Sequence, residues 1–189
     1  MKVIANNIRI GNILEFENGL WLVTKREHTK PGKGGAFIQA ELKNIQTGTK
    51  TVHRFRSSED VSIARVEERS FKYLYDSGDA ITLMDDETFE QIEVSKELLG
   101  TQVAYLKDNL AIAVEYYDEA IIGLKIPEQV QAKIVETETT VKGQTASASY
   151  KPAVLDNGIR ITVPPFIEVG DMVVVNTIND EYVERVKKS

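Results

Sequence analysis

The sequence predicts an all-β protein, and two observations carry that expectation. Short apolar stretches of strand length recur along the whole chain, with turn signals about every 8 to 12 residues, the spacing of sandwiches and small barrels. Only Ser95-Lys96-Glu97-Leu98-Leu99-Gly100 reads as helical, a single turn with a Ser N-cap and a Gly stop. Charge then divides the chain: residues 1–65 carry net +5, residues 66–128 net −10 and residues 129–189 net −1. The breaks predict three units, 1–65, 66–128 and 129–189, each of about 60 residues, small enough that barrel closure helps them. Closure removes the strand edges on which chains aggregate.

The elements follow in order. Asn12-Ile13-Leu14-Glu15-Phe16 and Leu20-Trp21-Leu22-Val23-Thr24-Lys25 flank Glu17-Asn18-Gly19, and Asn-Gly predicts a hairpin turn because both residues tolerate positive φ. From Phe37 to Lys43 the chain alternates, with Ile38, Ala40 and Leu42 on one face. Thr47-Gly48 turns it into a strand on which Lys50, Arg54 and Arg56 share a face. That face suits phosphate, and a solvated face accounts for it equally well. Phe71 to Tyr75 and Ala80 to Met84 flank Asp76-Ser77-Gly78-Asp79, a second hairpin. Further strands are expected at Leu110 to Val114, Ala120 to Ile126, Ala132 to Val135, Ile159 to Val163, Met172 to Val175 and Tyr182 to Val186.

Composition excludes several chemistries. The 189 residues include no cysteine and two histidines, His28 and His53, which leaves no disulfide framework, thiol nucleophile or thiolate metal site. A histidine-based triad or zinc centre is not expected either. No apolar run approaches the roughly 18 to 20 residues that span a bilayer, and the first residues lack a signal peptide's apolar region. A cytoplasmic binding protein is therefore expected, without metal, cofactor or membrane partner. The basic first third suggests that one end meets a polyanion while the acidic middle does not.

Three segments can carry function. Lys30-Pro31-Gly32-Lys33-Gly34-Gly35 lies between two expected strands, and its glycines leave Lys33 as the only long side chain at the loop's centre. A cation so displayed can meet phosphate oxygens or be reached by a modifying enzyme, and a plain hairpin loop explains the residues equally well. The segment is no P-loop, lacking both the glycine spacing and the following Ser/Thr. Gly143, Gln144, Thr145, Ala146, Ser147, Ala148 and Ser149 form a small, hydroxylated segment that allows close approach to a sugar–phosphate chain, and a plain flexible barrel loop explains it equally well. Near the C-terminus, Tyr182 can stack and Arg185 can pair with phosphate, although both residue types are also common on a last strand.

At these residues the chain resembles bacterial elongation factor P, over its whole length. Lys30-Pro31-Gly32-Lys33-Gly34 resembles that family's tip loop. Phe71-Lys72-Tyr73-Leu74-Tyr75 and Glu87-Thr88-Phe89-Glu90-Gln91 resemble its middle domain, and Lys151-Pro152-Ala153, Gly158 and Val163-Pro164 to Gly170 its C-terminal signature. Many relatives carry Arg and Gly where this chain has Ile178 and Asp180, and a glycine-rich stretch where it has Ser147-Ala148-Ser149-Tyr150.

The resemblance implies an SH3-like, KOW-type barrel followed by two OB-type barrels in an elongated L of tRNA-like outline, acting as a monomer. It implies a non-catalytic factor bound to the 70S ribosome between the peptidyl and exit sites, relieving stalling at consecutive prolines. Lys33 is then the tip residue, extended by a lysine-modifying enzyme, with β-lysylation favoured, and aimed at the CCA end of peptidyl-site tRNA. The same resemblance places Gly143 to Ser149 near the exit-site mRNA codon and Tyr182 and Arg185 against the small subunit. The acidic middle unit faces the ribosomal stalk protein beside the exit site.

Two rivals fit less well. A general single-strand RNA binder needs a basic groove with stacked aromatics, which a net −10 middle third and 7% aromatic content do not favour. An enzyme with Lys33 as nucleophile needs a desolvated amine, and a glycine-flanked loop offers no apolar pocket.

Overall fold

The computed structural model describes residues 1–139 and 149–188. Its described residues form strands and a few short 3-10 turns, as the pattern predicts. The first sheet contains β1 (Lys2–Ile4), β2 (Ile13–Phe16), β3 (Gly19–Thr29), β4 (Phe37–Asn44), β5 (Lys50–Arg56) and β6 (Asp60–Ile63), in the order β1-β6-β2-β3-β4-β5. The second contains β7 (Glu67–Asp76), β8 (Ala80–Asp85), β9 (Gln91–Ser95), β10 (Ala111–Tyr117) and β11 (Ala120–Lys125), in the order β11-β10-β7-β8-β9. A third joins β12 (Gln129–Thr137), β13 (Lys151–Leu155), β14 (Arg160–Val163), β15 (Met172–Asn176) and β16 (Glu181–Arg185), in the order β14-β13-β12-β15-β16. The sheets curl into barrel-like bodies. The charge breaks near residues 65 and 128 fall in the connections between β6 and β7 and between β11 and β12.

By packing, the chain forms two compact units. The first takes in Met1–Glu68 together with Glu115–Ile122, and the second Arg69–Val114 together with the chain from Gly123 onward. In the first unit, alternation on β3, β4 and β5 delivers Val23, Ile38, Ala40, Leu42 and Phe55 to a core completed by Ala5, Ile8, Leu14 and Val61. Each large member contributes about 1.5 to 3 kcal/mol by leaving water. In the second unit the same period buries Ile81, Leu83, Ile112 and Val114, and further along Ile134, Leu155, Val163, Val173 and Val175.

Two local expectations change. The first hairpin turn places its positive φ at Glu17 (46°) and Asn18 (60°), not at Gly19. Gly19 instead sits in a tight space, since a Cβ there would stand 3.1 Å from Trp21 Nε1 and 3.3 Å from Asn44 Nδ2. The helical turn at Ser95 is 3-10, over Lys96–Leu98, and a second 3-10 segment continues from Gly100 to Tyr105. Ser95 caps it as expected, its hydroxyl accepting from the Glu97 N–H at 3.2 Å.

Candidate functional site

The strand pair that carries the tip is long because β3 runs for 11 residues and β4 for 8, paired from Trp21↔Asn44 to Thr29↔Phe37. One irregularity interrupts the register, between Val23 and Lys25. Thr24, left out of the pairing there, donates its hydroxyl to Glu41 Oε1 at 2.8 Å. Beyond the bulge two faces separate cleanly. His28 lies opposite buried Ile38, which lies opposite buried Phe55, on the core side. On the outer side Thr29, Phe37 and Arg56 form one row, and Glu27, Gln39 and Arg54 the next.

At the end of this pair, Lys30, Pro31, Gly32, Lys33, Gly34 and Gly35 are all exposed. Gly34 alone of the three glycines uses the left-handed region, at φ 125°. A Cβ on Gly32 or Gly35 would meet nothing within 4 Å, so those two keep the loop slender without serving any packing need. The carbonyl of Ala36 accepts from the Ser57 N–H at 3.0 Å, which fixes the root of the loop to the turn after β5. Among the described residues none hydrogen-bonds or ion-pairs with the Lys33 amine. The side chain is therefore available to an external group.

The predicted basic face exists, and its members are not equivalent. Lys50, Arg54 and Arg56 alternate with residues of the core face along β5. Lys50 and Lys25 each reach Glu41 at 3.8 Å. The Thr24 hydrogen bond and then these two ammonium groups hold the Glu41 carboxyl below its ordinary value. The Arg54 guanidinium lies 4.3 Å from the centroid of the Phe37 ring, which pre-orients it. Sequence reading missed Glu41 and Phe37 as partners because each pairs across strands. It also missed Arg26, whose Nη2 donates to the Asn6 carbonyl at 2.8 Å and ties β3 to the 3-10 turn Ala5–Asn7.

Neither histidine stands in a polar cluster. His28 is exposed, and His53 packs between Phe16 and Phe55 at centroid distances of 4.6 and 4.4 Å. No group of three His, Cys, Asp or Glu side chains among the described residues is placed to hold a metal.

In the second unit, Gly143, Gln144, Thr145, Ala146, Ser147 and Ala148 lie outside the described residues, and Ser149 is exposed. The structure does bring Tyr182 and Arg185 to related positions. A spacing of three on a regular strand sends two side chains to opposite faces. A register slip in the β15–β16 pair sets Tyr182 opposite Val175 and Arg185 opposite Val173, both valines fully buried. Tyr182 meets Tyr150 edge to face, with centroids 6.4 Å apart, and burial followed by the neighbouring Tyr150 pushes its phenol up. Arg185 stands 4.0 Å from Asp171 and 5.2 Å from the Phe166 ring centroid.

Three family descriptions match the chain in succession: the elongation factor P KOW-like domain over residues 4–61, its OB domain over 66–124 and its C-terminal domain over 130–185. An elongation factor P from Zymomonas mobilis is 52% identical, covering 98% of this chain and 99% of the relative. Those from Parvibaculum lavamentivorans and Brucella abortus are each 50% identical over 98% of this chain, with 99% and 100% of the relative covered. Among solved structures, translation initiation factor 5A from Methanococcus jannaschii aligns with a TM-score of 0.54 at 20% identity. That alignment covers 67% of this chain and 92% of the other, and is a likeness of fold.

Proposed function

This chain belongs to the elongation factor P family of translation factors, and we propose that it binds the 70S ribosome between the peptidyl and exit sites. There it promotes peptide-bond formation at consecutive prolines by holding peptidyl-tRNA in place. One observation carries this reading: a long strand pair ends in a slender loop that exposes an unpaired Lys33. A rigid arm with a free cation at its end suits delivery of charge into a crevice, near the CCA end of the tRNA.

The factor works in the cytoplasm and brings no acid, base or nucleophile of its own. Proline restricts the geometry of the growing chain, and fixing the tRNA end in a reactive orientation offsets that restriction. Positioning of this kind can supply several kcal/mol, up to about 7 to 11 in the best intramolecular cases. A lysine-modifying enzyme extends Lys33, with β-lysine joined to the ε-amine as an amide. The outer-face Arg54 and Arg56 meet the tRNA backbone. The Gly143 to Ser149 loop reads the exit-site codon region, Tyr182 and Arg185 approach the small subunit, and the acidic middle sheet meets the stalk protein.

Translation of a Pro-Pro-Pro reporter tests this with two substitutions. Lys33→Ala removes both charge and acceptor amine, whereas Lys33→Arg keeps the charge and cannot be acylated in the same way. Both are expected to fail in relieving the stall while still sedimenting with ribosomes. Full activity of both would remove Lys33 from the function.

A further inference from the structure

The irregularity in the β3–β4 pair falls at the joint where the arm leaves the first barrel-like body. Up to Leu22, β3 is paired on both sides, with β2 and with β4. Val23 closes the barrel side, its N–H donating to the Asn12 carbonyl and its carbonyl accepting from the Gly11 N–H, each at 2.9 Å. From Lys25 to Thr29, β3 keeps only β4 as a strand partner. Thr24 is the extra residue between these stretches, since Val23 lies opposite Leu42 and Lys25 opposite Glu41. The β4–β5 pair runs without interruption from Phe37↔Arg56 to Lys43↔Lys50, so the extra residue belongs to β3 alone.

A bulge bends its strand, increases the local twist and re-aims what lies beyond it. Side chains hold this one in place. The Thr24 hydroxyl donates to Glu41 Oε1 at 2.8 Å and lies 3.2 Å from the Glu41 carbonyl oxygen. Lys25 and Lys50 each stand 3.8 Å from the same carboxylate, so three strands meet at one half-buried acid. Beyond the bulge, the Arg26–Asn6 bond braces β3 against the 3-10 turn.

The effect is greatest at the tip. Lys33 stands four residues from each of the last paired residues, Thr29 and Phe37, at the centre of the loop. The strand residues from Lys25 to Thr29 carry the arm about 17 Å from the bulge. A change of about 10° at the joint therefore moves the far end by about 3 Å. Misplacement of reacting groups by ~1 Å can cost ~100-fold in rate.

We propose that Thr24, through its bond to Glu41, is a positioning residue that fixes the bulge and so aims Lys33 at the peptidyl-tRNA end. The inference rests on the ribosome-binding reading and adds to it a residue that acts from a distance, through the arm.

The test follows Pro–Pro bond formation in reconstituted translation as the full-length chain is titrated, with Lys33 in the same covalent state in every variant by intact mass. Deletion of Thr24 leaves the pairing of the arm intact and removes the bulge. It should lower the maximal rate roughly 10- to 100-fold while the half-saturating concentration stays within about twofold. Thr24→Val keeps the shape and loses the hydroxyl, and should lose roughly three- to tenfold, whereas Thr24→Ser should stay within about twofold of wild type. Glu41→Ala combined with Thr24→Val should be no slower than the slower single variant, because both remove one contact. A wild-type maximal rate for the deletion, a loss seen only in the half-saturating concentration, or multiplied losses in the double variant overturns the proposal and leaves the ribosome-binding reading intact. Should the deletion variant lack a cooperative unfolding transition, Thr24→Val decides, and a wild-type maximal rate for it overturns the proposal. No acceleration by the wild-type chain overturns both.

Discussion

The phenol of Tyr105 donates a 2.5 Å hydrogen bond to the carboxylate of Asp180, 75 residues further along the chain. Gln102 supports it from the same 3-10 segment, its amide donating to the Thr177 carbonyl at 3.1 Å. Together they fasten the Gly100–Tyr105 segment to the turn between β15 and β16 inside the second unit. Asp180 accepts this bond from a left-handed backbone, φ 55°, a position that favours glycine.

The contact sets the order of three variants. Tyr105→Phe should lower stability by about 1 to 2 kcal/mol through loss of a hydrogen bond to a charged group. Asp180→Gly loses the same bond and relaxes the backbone, so its net cost should be smaller. Asp180→Ala loses the bond and keeps the strained φ, and should fall about 1 kcal/mol below the glycine variant. Urea unfolding of the three proteins measures the order. Equal stability of Asp180→Gly and Asp180→Ala would contradict the backbone account.

Alkaline pH offers an independent check. Burial, followed by the hydrogen bond to Asp180, raises the Tyr105 phenol above its ordinary 10.0. The folded protein thus holds this proton more tightly than the unfolded chain does. The stabilisation is complete below pH 10.0 and is lost as pH rises through the higher folded value. Tyr105→Phe should therefore have a shallower decline in denaturant midpoint between about pH 10 and 12 than the wild type. An unchanged slope would mean that the phenol titrates alike in both states.

Gly19 gives a third expectation. Gly19→Ala pushes a methyl group to 3.1 Å from Trp21 Nε1, which donates to the Phe16 carbonyl at 2.9 Å. Either the indole or the Asn44 amide must give way, at a cost of about 1 to 3 kcal/mol. Trp21 is the only tryptophan, so its fluorescence reports this site alone. A shifted emission maximum together with a lower urea midpoint is expected. Unchanged emission would place the strain elsewhere.

The sequence revealed most where the controlling interactions are local. Alternation from Phe37 to Lys43 identified the core face of β4, and the Pro, Gly and Lys of the tip loop identified the exposed arm, because neither depends on distant partners. Asn18-Gly19 marked the right hairpin with one of its two residues misread. Asn18 takes the expected positive φ but shares it with Glu17, and Gly19 is crowded by a side chain two residues on and another on β4. The Tyr105–Asp180 bond left no periodic trace, since a pairing between residues 75 apart has no spacing to recognise. The alignment of Tyr182 with Arg185 was equally invisible, because it depends on a bulge that three-residue spacing does not announce.

The last prediction concerns what the first 65 residues hold by themselves. All six strands of the first sheet lie within them, as do all nine buried residues of its core, from Ala5 to Val61. A fragment of residues 1–65 loses Glu115–Ile122 from its compact unit, and with it the Tyr117 hydroxyl that donates to Glu15 at 2.8 Å. Glu15 is exposed, so water replaces that donor at a cost within about 1 kcal/mol. Because its whole buried core is retained, the fragment should unfold cooperatively with Trp21 emission like that of the full chain. Its urea midpoint should be lower, as expected when a domain of about 60 residues buries only about 60% of its unfolded surface. A fragment with water-exposed Trp21 emission and no cooperative transition would show instead that Glu115–Ile122 is required for the first unit to fold.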